Sequence, residues 1–356
     1  MKKKLVLVLA LLMMVSLFAT ACGQSTPAPA APAPAPAEGS SEPAAAAEVD
    51  FPEMTLRMSV TTSDVGSWYK GGMKLAEIVG ERTGGKVTIE VYPNEQLSGG
   101  NQGVGIEQVQ QGVTDMSFHS TIIYSIMDPK FSVVSMPWII PNINDMDRAM
   151  AGEPGEAIKE IVRSKGIEPL AFGENGYRQL TTNRRAVRTP ADMSGMKIRI
   201  PGIQMYIDLF QALGADPTAM NFAEVFTALQ QGTIDGQENP LPVITTNRLY
   251  EVQDYVTLWN YSYDPLVIGI NMNKFNSFSP ELQQIFREAA VEAAAYQIDL
   301  NRQEEAEAIA FLEEQGMEVI ELTDAEVAAF RDLMAPVYEK YEPIIGEDLM
   351  NLFLNF

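Results

Sequence analysis

The chain has little of what most catalytic and metal sites are built from. Its 356 residues include one Cys and one His. A single Cys excludes a disulfide within the chain. Together with the single His it leaves no His/Cys set for zinc and few routes to a His-based catalytic triad. Basic residues are also scarce: 25 Lys+Arg stand against 47 Asp+Glu, a net charge of −22. A nucleic-acid partner needs a basic face, so that class is excluded as well. Phosphate cradles are missing. Gly84-Gly-Lys-Val87 lacks the spacing and hydroxyl of a P-loop, and Gly99-Gly-Asn-Gln-Gly-Val-Gly105 is not a dinucleotide fingerprint. No cofactor is implied. Carboxylate-only chemistry, Ser–Lys chemistry and plain binding survive.

What is present is enough to fold. The chain is 46% hydrophobic and 20% charged, and its length fits about two domains of roughly 100–200 residues each. The N-terminus stands apart. Three Lys (residues 2–4) precede an apolar run from Leu5 to Ala21, short for a membrane span and suited to a secretory signal. The run ends in Ala19-Thr20-Ala21-Cys22, which resembles a bacterial lipobox with Cys22 as the lipidated residue. Ala19 replaces the usual Leu, and a plain signal peptide is the alternative. Residues 22–49 then read as an Ala/Pro-rich tether: Ala-Pro alternation from Pro27 to Ala37 favours extended chain. Removing residues 1–21 removes three Lys and no acid, so the exported chain carries 22 − 47 = −25.

From Met54 strand-like and helix-like segments alternate, which indicates an α/β body. Thr55–Val60 alternates with period two, Trp68–Arg82 carries helical spacing, and Val87–Tyr92 reads as a strand. Val109-Gln-Gln-Gly-Val-Thr-Asp-Met116 is echoed by Leu229-Gln-Gln-Gly-Thr-Ile-Asp-Gly236. Each reads as a helix stopped by a left-handed Gly, Gly112 or Gly232, with a strand at once after it. Asn221 with Glu224 has the form of a capping box. Ser279-Pro280-Glu281 opens a helix that meets no Pro or Gly before Gly316, about 35 residues, long enough to bridge two lobes. A break near Asn301 is the alternative.

The strongest local anomaly is electrostatic. Between Arg178 and Arg199 lie six basic residues and one acid, Asp192. Arg184, Arg185 and Arg188 read as a solvated face. Arg199 differs, because Met196-Lys-Ile-Arg-Ile-Pro201 alternates and places it opposite Ile198 and Ile200, at a strand end stopped by Pro201-Gly202. Strand ends facing a crevice are where open α/β folds hold ligands, and Arg binds a carboxylate at two points. Asp235-Gly-Gln-Glu-Asn-Pro240 is a second polar cluster, with the amides of Gln237 and Asn239 flanking Glu238. It reads equally as a site or as a satisfied turn. His119 follows a strand and is either a ligand-facing hydrogen bonder or a buried bystander.

Three stretches taken together resemble one family: Tyr177-Arg-Gln-Leu-Thr-Thr-Asn183, Asp192-Met-Ser-Gly-Met-Lys-Ile-Arg-Ile-Pro201, and Glu224 through Pro240. They look like the extracytoplasmic solute-binding proteins of TRAP transporters, the DctP type. Gly84–Asn94 and Phe278–Gln284 agree. The resemblance implies an α/β, two-lobed clamshell of the periplasmic-binding-protein kind, with hinge crossings and a long helix spanning both lobes. Lobe I would comprise 51–175 and 265–304, lobe II 176–264 and 305–356. It implies that a small organic acid is held by Arg199, Arg178, Asn239 and Phe222, with Glu238 orienting an Arg. Tyr261 falls where some relatives have a His contact. Gln237, Trp68 and His119 are further ligand candidates. Gln96-Leu-Ser-Gly-Gly-Asn101 lacks an acid common in the family, which argues against hydroxyl-rich ligands that need it. The implied protein is a non-enzymatic, monomeric receptor, anchored outside the cytoplasm by lipid at Cys22, that delivers its ligand to small and large integral-membrane subunits. A lipoprotein feeding a sensor, or an exported carboxylate-dependent hydrolase, are the alternatives.

Overall fold

The computed structural model describes residues 50–355. The expected signal, Cys22 and the tether lie outside these residues. Two mixed sheets form the body. The first contains β1 (Met54–Val60), β2 (Val87–Tyr92), β3 (Met116–Ser120), β4 (Ile167–Tyr177) and β10 (Tyr263–Asn271), in the order β2-β1-β3-β10-β4. The second holds β5 (Gln179–Thr182), β6 (Lys197–Ile200), β7 (Asp216–Ala219), β8 (Gly236–Asn239), β9 (Tyr255–Leu258) and β11 (Glu318–Glu321), in the order β11-β9-β5-β8-β6-β7. Within the first sheet β1, β2 and β3 run parallel while β10 is antiparallel to both neighbours. In the second, β6 is parallel to β7 and β8, and β5 is antiparallel to β8 and β9.

The chain changes sheets between β4 and β5, through Arg178, and between β9 and β10, through residues 259–262. The two crossings are tied together, since Arg178 N–H donates to Ser262 O at 2.9 Å. The helices used below are α1 (Ser67–Arg82), α2 (Gln102–Gln111), α3 (Phe222–Gln230), α4 (Leu241–Thr246) and α5 (Pro280–Glu314). Helix α5 is one unbroken element of 35 residues that touches α1 and β4 of the first sheet and α4 and β11 of the second. Asn301 does not break it. Its side chain is buried and donates to Asn175 O at 3.1 Å, while Ser67 Oγ donates to Asn301 Oδ1 at 3.0 Å.

The sequence echo is structural. Gly112 and Gly232 both follow a helix with positive φ, 75° and 66°, and each leads into a strand. Ser279 caps α5 as its sequence indicates, accepting from Leu282 N–H at 3.2 Å. Asn221 does not form the expected box. Its amide donates to Glu224 at 3.1 Å, and the first N–H of α3, at Phe222, points across the cleft to Gln102 Oε1 at 3.3 Å. The C-terminal helices also depart from expectation. They carry Phe330, Tyr341 and Phe353 into a core that runs from Tyr124 and Phe131 to Ile198 and Phe210, so they pack on elements of both sheets, not on the second alone.

Candidate functional site

A cavity lies between the sheets, and Gln102 and Phe222, which contact each other at 3.3 Å, both line it. It measures ≈ 20 Å³ open to the centre of a water molecule. Of the residues singled out from the sequence, Arg178, Arg199, Phe222, Asn239 and Trp68 line it.

Arg199 reaches it from the end of β6. The alternation of the strand puts Ile198 and Ile200 in the core and turns the guanidinium the other way, yet all three residues are buried. Its Nε and Nη2 donate to Met220 O at 3.0 and 2.7 Å, and the guanidinium carbon sits 5.7 Å from the centre of the Phe222 ring. These contacts fix its direction without neutralising it. Among the described residues no carboxylate lies within 4.0 Å, and burial lowers its pKa to about 10, still charged at neutral pH.

Arg178 has the opposite surroundings. Its Nε and Nη2 form a two-point pair with Glu238, the second bond at 2.9 Å, and Nη1 donates to Asp264 Oδ2 at 3.1 Å. Nη2 also reaches Glu238 O at 2.8 Å and Asn239 Oδ1 at 3.1 Å. Burial opposes the charge, but Glu238 outweighs it and holds the pKa well above the ordinary Arg value. Asn239 is oriented by this Arg and donates onward to Gln237 Oε1 at 2.5 Å.

Three expected ligand contacts lie off the cavity. Tyr261 is fully buried in an aromatic group with Trp138, Trp259, Tyr206 and Phe210, and its hydroxyl donates to Glu238 at 2.6 Å. Its role is to support a carboxylate that already serves Arg178. Gln237 is spent on Thr181 Oγ1, 3.0 Å away, and on Asn239. His119 is buried with Nε2 2.8 Å from Glu95 Oε1, off the direction of a well-formed hydrogen bond. Glu95 in turn accepts from Ser59 at 2.9 Å and Thr61 at 2.7 Å. Of its two readings, the buried one matches the geometry. The arginines 184, 185 and 188 lie on the surface side, bonded to Gly195, Asp192 and Glu326.

The structure adds two residues that the sequence reading missed, Asn175 and Asp264, both lining the cavity. Asp264 is buried and accepts from Ser120 Oγ at 2.6 Å and Asn175 Nδ2 at 2.7 Å, besides Arg178. Burial raises its pKa and Arg178 opposes the rise. The only local signals were an Asn-Gly pair just before Tyr177-Arg178 and an acid followed by Pro265 inside an apolar strand.

Two sheets joined by paired strand crossings, with a buried cation facing the cavity between them, define the solute-binding clamshell class. The chain belongs to the DctP family, described as bacterial extracellular solute-binding protein, family 7, which matches residues 58–343. It is similar to the 2,3-diketo-L-gulonate-binding periplasmic protein YiaO of Escherichia coli, 34% identical over 82% of this chain and 88% of that protein. A TRAP periplasmic solute-binding protein from Ralstonia eutropha, solved with bound (S)-2-acetolactate, is 38% identical with a TM-score of 0.82, covering 84% of this chain and 97% of that one. The sugar-acid-binding protein of Advenella mimigardefordensis, solved with galactonate, is 30% identical with a TM-score of 0.83, over 86% and 98% of the two chains. These relatives are binding proteins, not enzymes. Among the described residues no helix is long and apolar enough to cross a membrane.

Proposed function

We propose that this chain is the extracytoplasmic receptor of a TRAP-type transporter and that it grips the carboxylate of a small organic acid with Arg199. The observation that carries this reading is the contrast in pairing: Arg199 is buried at the cavity with no carboxylate partner among the described residues. A buried unpaired cation is costly, and an anionic ligand offsets that cost. Arg178, its charge already met by Glu238 and Asp264, positions Asn239 and adds hydrogen bonding. Phe222 covers the guanidinium face, and Trp68 closes the cavity from α1. The names of the relatives, which bind keto, hydroxy and sugar acids, support an acid as ligand.

The exported chain's charge of 22 − 47 = −25 repels anions at long range, so affinity comes from the local cation and the exclusion of water, not from steering. Closure is a hinge motion at residue 178 and residues 259–262 that brings Gln102 to Phe222, biased by a ligand touching both lobes. The closed form delivers the acid to small and large membrane subunits, with the receptor held at the outer face of the membrane by lipid at Cys22 and by the tether that follows. Thermal unfolding in the presence of dicarboxylates, keto acids, hydroxy acids, sugar acids and aromatic acids tests the reading. One class should raise the midpoint by several degrees. A protein free of bound small molecules by mass spectrometry and stabilised by none of them would contradict it.

A further inference from the structure

Resting on that reading, the polar atoms around the cavity say more about the ligand than that it is an acid. Asn175 is 2% exposed, and its Oδ1 has no hydrogen-bond partner. Which end of an amide is oxygen must be argued from its neighbours. Here Asp264 decides it: a carboxylate flanked by three donors takes the Asn175 Nδ2 at 2.7 Å, so the oxygen is the end left over. A carbonyl-type oxygen only accepts, and a buried acceptor without a donor is costly. The complementary ligand therefore presents a donor there, and in the acids bound by the relatives solved with 2-acetolactate and galactonate the available donor is a hydroxyl.

The same wall limits the charge of the ligand. The charged residues lining the cavity are Arg178, Arg199 and Asp264, and two of the three are already paired to each other. A second carboxylate on the ligand would meet Asp264 with no further cation lining the cavity to receive it. Two more buried atoms at the cavity lack partners, Trp68 Nε1 and Thr62 Oγ1. The indole N–H is donor only, so it suits an oxygen of the acid, and the Thr hydroxyl suits either end. Only ≈ 20 Å³ is open to the centre of a water molecule, a narrow space that suits an acid of few carbons in the closed form.

We infer that the ligand is a short hydroxy monocarboxylic acid, its carboxylate on Arg199 and its hydroxyl donating to Asn175 Oδ1, with Asp264 holding the amide in the accepting orientation. Asn175 thus separates hydroxy acids from their deoxy counterparts, and Asp264 acts through it as a positioning residue and repels dicarboxylates.

Calorimetric titration of the full chain, cleared of bound small molecules by unfolding and refolding, tests this with matched probes. The pairs are lactate with propionate, and 2- and 3-hydroxybutyrate with butyrate; malate and succinate test the second carboxylate. At least one hydroxy acid should bind about 10- to 100-fold tighter than its deoxy partner, the span expected when a buried acceptor is left unmet. Malate should bind more weakly than lactate or hydroxybutyrate. In Asn175→Ala the ratio of hydroxy to deoxy affinity should fall toward one. Should that variant fail to fold by circular dichroism, the ligand pairs on the unsubstituted chain decide alone. Equal affinity within each pair, with both members lost in Arg199→Met, would overturn the hydroxyl inference and leave the receptor reading standing. Binding only by acids of six or more carbons, or tighter binding of dicarboxylates, would overturn it in the same way. No binding by any acid would overturn both.

Discussion

Arg178 and Arg199 lie on the same cavity, both buried, at the ends of strands in the same sheet region. Arg178 meets two carboxylates, a backbone carbonyl and an amide oxygen. Arg199 meets a single backbone carbonyl and an aromatic face. The first therefore has its charge returned from within the fold, at the point where the chain first crosses between sheets. The second has its direction fixed and its charge left over. One cation is neutralised where the chain first crosses between the sheets; the other, in the proposed receptor, is kept for a ligand. Residue type alone does not distinguish them; their partners do.

The largest expected effect separates the two on stability. Arg178→Met should destabilise the ligand-free protein by about 3–5 kcal/mol, because Glu238 and Asp264 are left buried without their cation. Denaturant unfolding measures it, and a loss under about 1 kcal/mol would erase the contrast.

Glu305 sharpens the rule with the opposite charge. It lies on α5 and accepts from the Leu241 N–H at the start of α4, with its other oxygen unpartnered and Glu174 nearby. Burial raises its pKa to about 8 from an ordinary 4.5. The folded chain then keeps a proton that the unfolded chain has released between those two values, so this group lowers stability as pH rises from about 4.5 to 8. Glu305→Gln should remove that slope, an effect on the order of a few kcal/mol at pH 8, read from denaturant midpoints at pH 5 and pH 8. An unchanged slope would mean that the carboxyl is not buried in its acid form.

The smallest effect runs against the usual direction for a buried substitution. Arg199→Met should leave the ligand-free protein as stable as before or about 1 kcal/mol more stable, since an apolar side chain of similar volume replaces an uncompensated charge. Thermal unfolding without ligand reads it directly, and a loss like that at Arg178 would mean Arg199 is structural.

The difference between the arginines was only half legible in the sequence. Arg199 could be found because alternation in Lys197–Ile200 turns it away from Ile198 and Ile200, and Pro201 marks the strand end. The long helix was legible too, since Ser279-Pro280 starts it and no breaker follows; only tertiary contacts at Asn301 exclude a bend there. Pairing was not legible. Asp264 lies 86 residues from Arg178, and nothing local announces that β9 and β10 bring it back to the first crossing. Asn175 was hidden for the same reason, its amide being oriented by Asp264 and not by its neighbours in the chain. His119 could not be assigned until Glu95 appeared beside it, from a turn 24 residues earlier. Tyr261 looked like a site residue because some relatives have a His contact there, and Gln237 because it stands in the polar cluster 235–240, but the Tyr261 hydroxyl is bonded to Glu238 and the Gln237 amide to Thr181.

In the proposed receptor the unpaired charge of Arg199 recognises the ligand. Isothermal titration of Arg199→Met with the acid that stabilises the unsubstituted protein tests it most directly. Binding free energy should fall by about 3–5 kcal/mol, a factor of at least a hundred in Kd, with folding intact. An Arg199→Met protein that binds the same acid with unchanged affinity would contradict it.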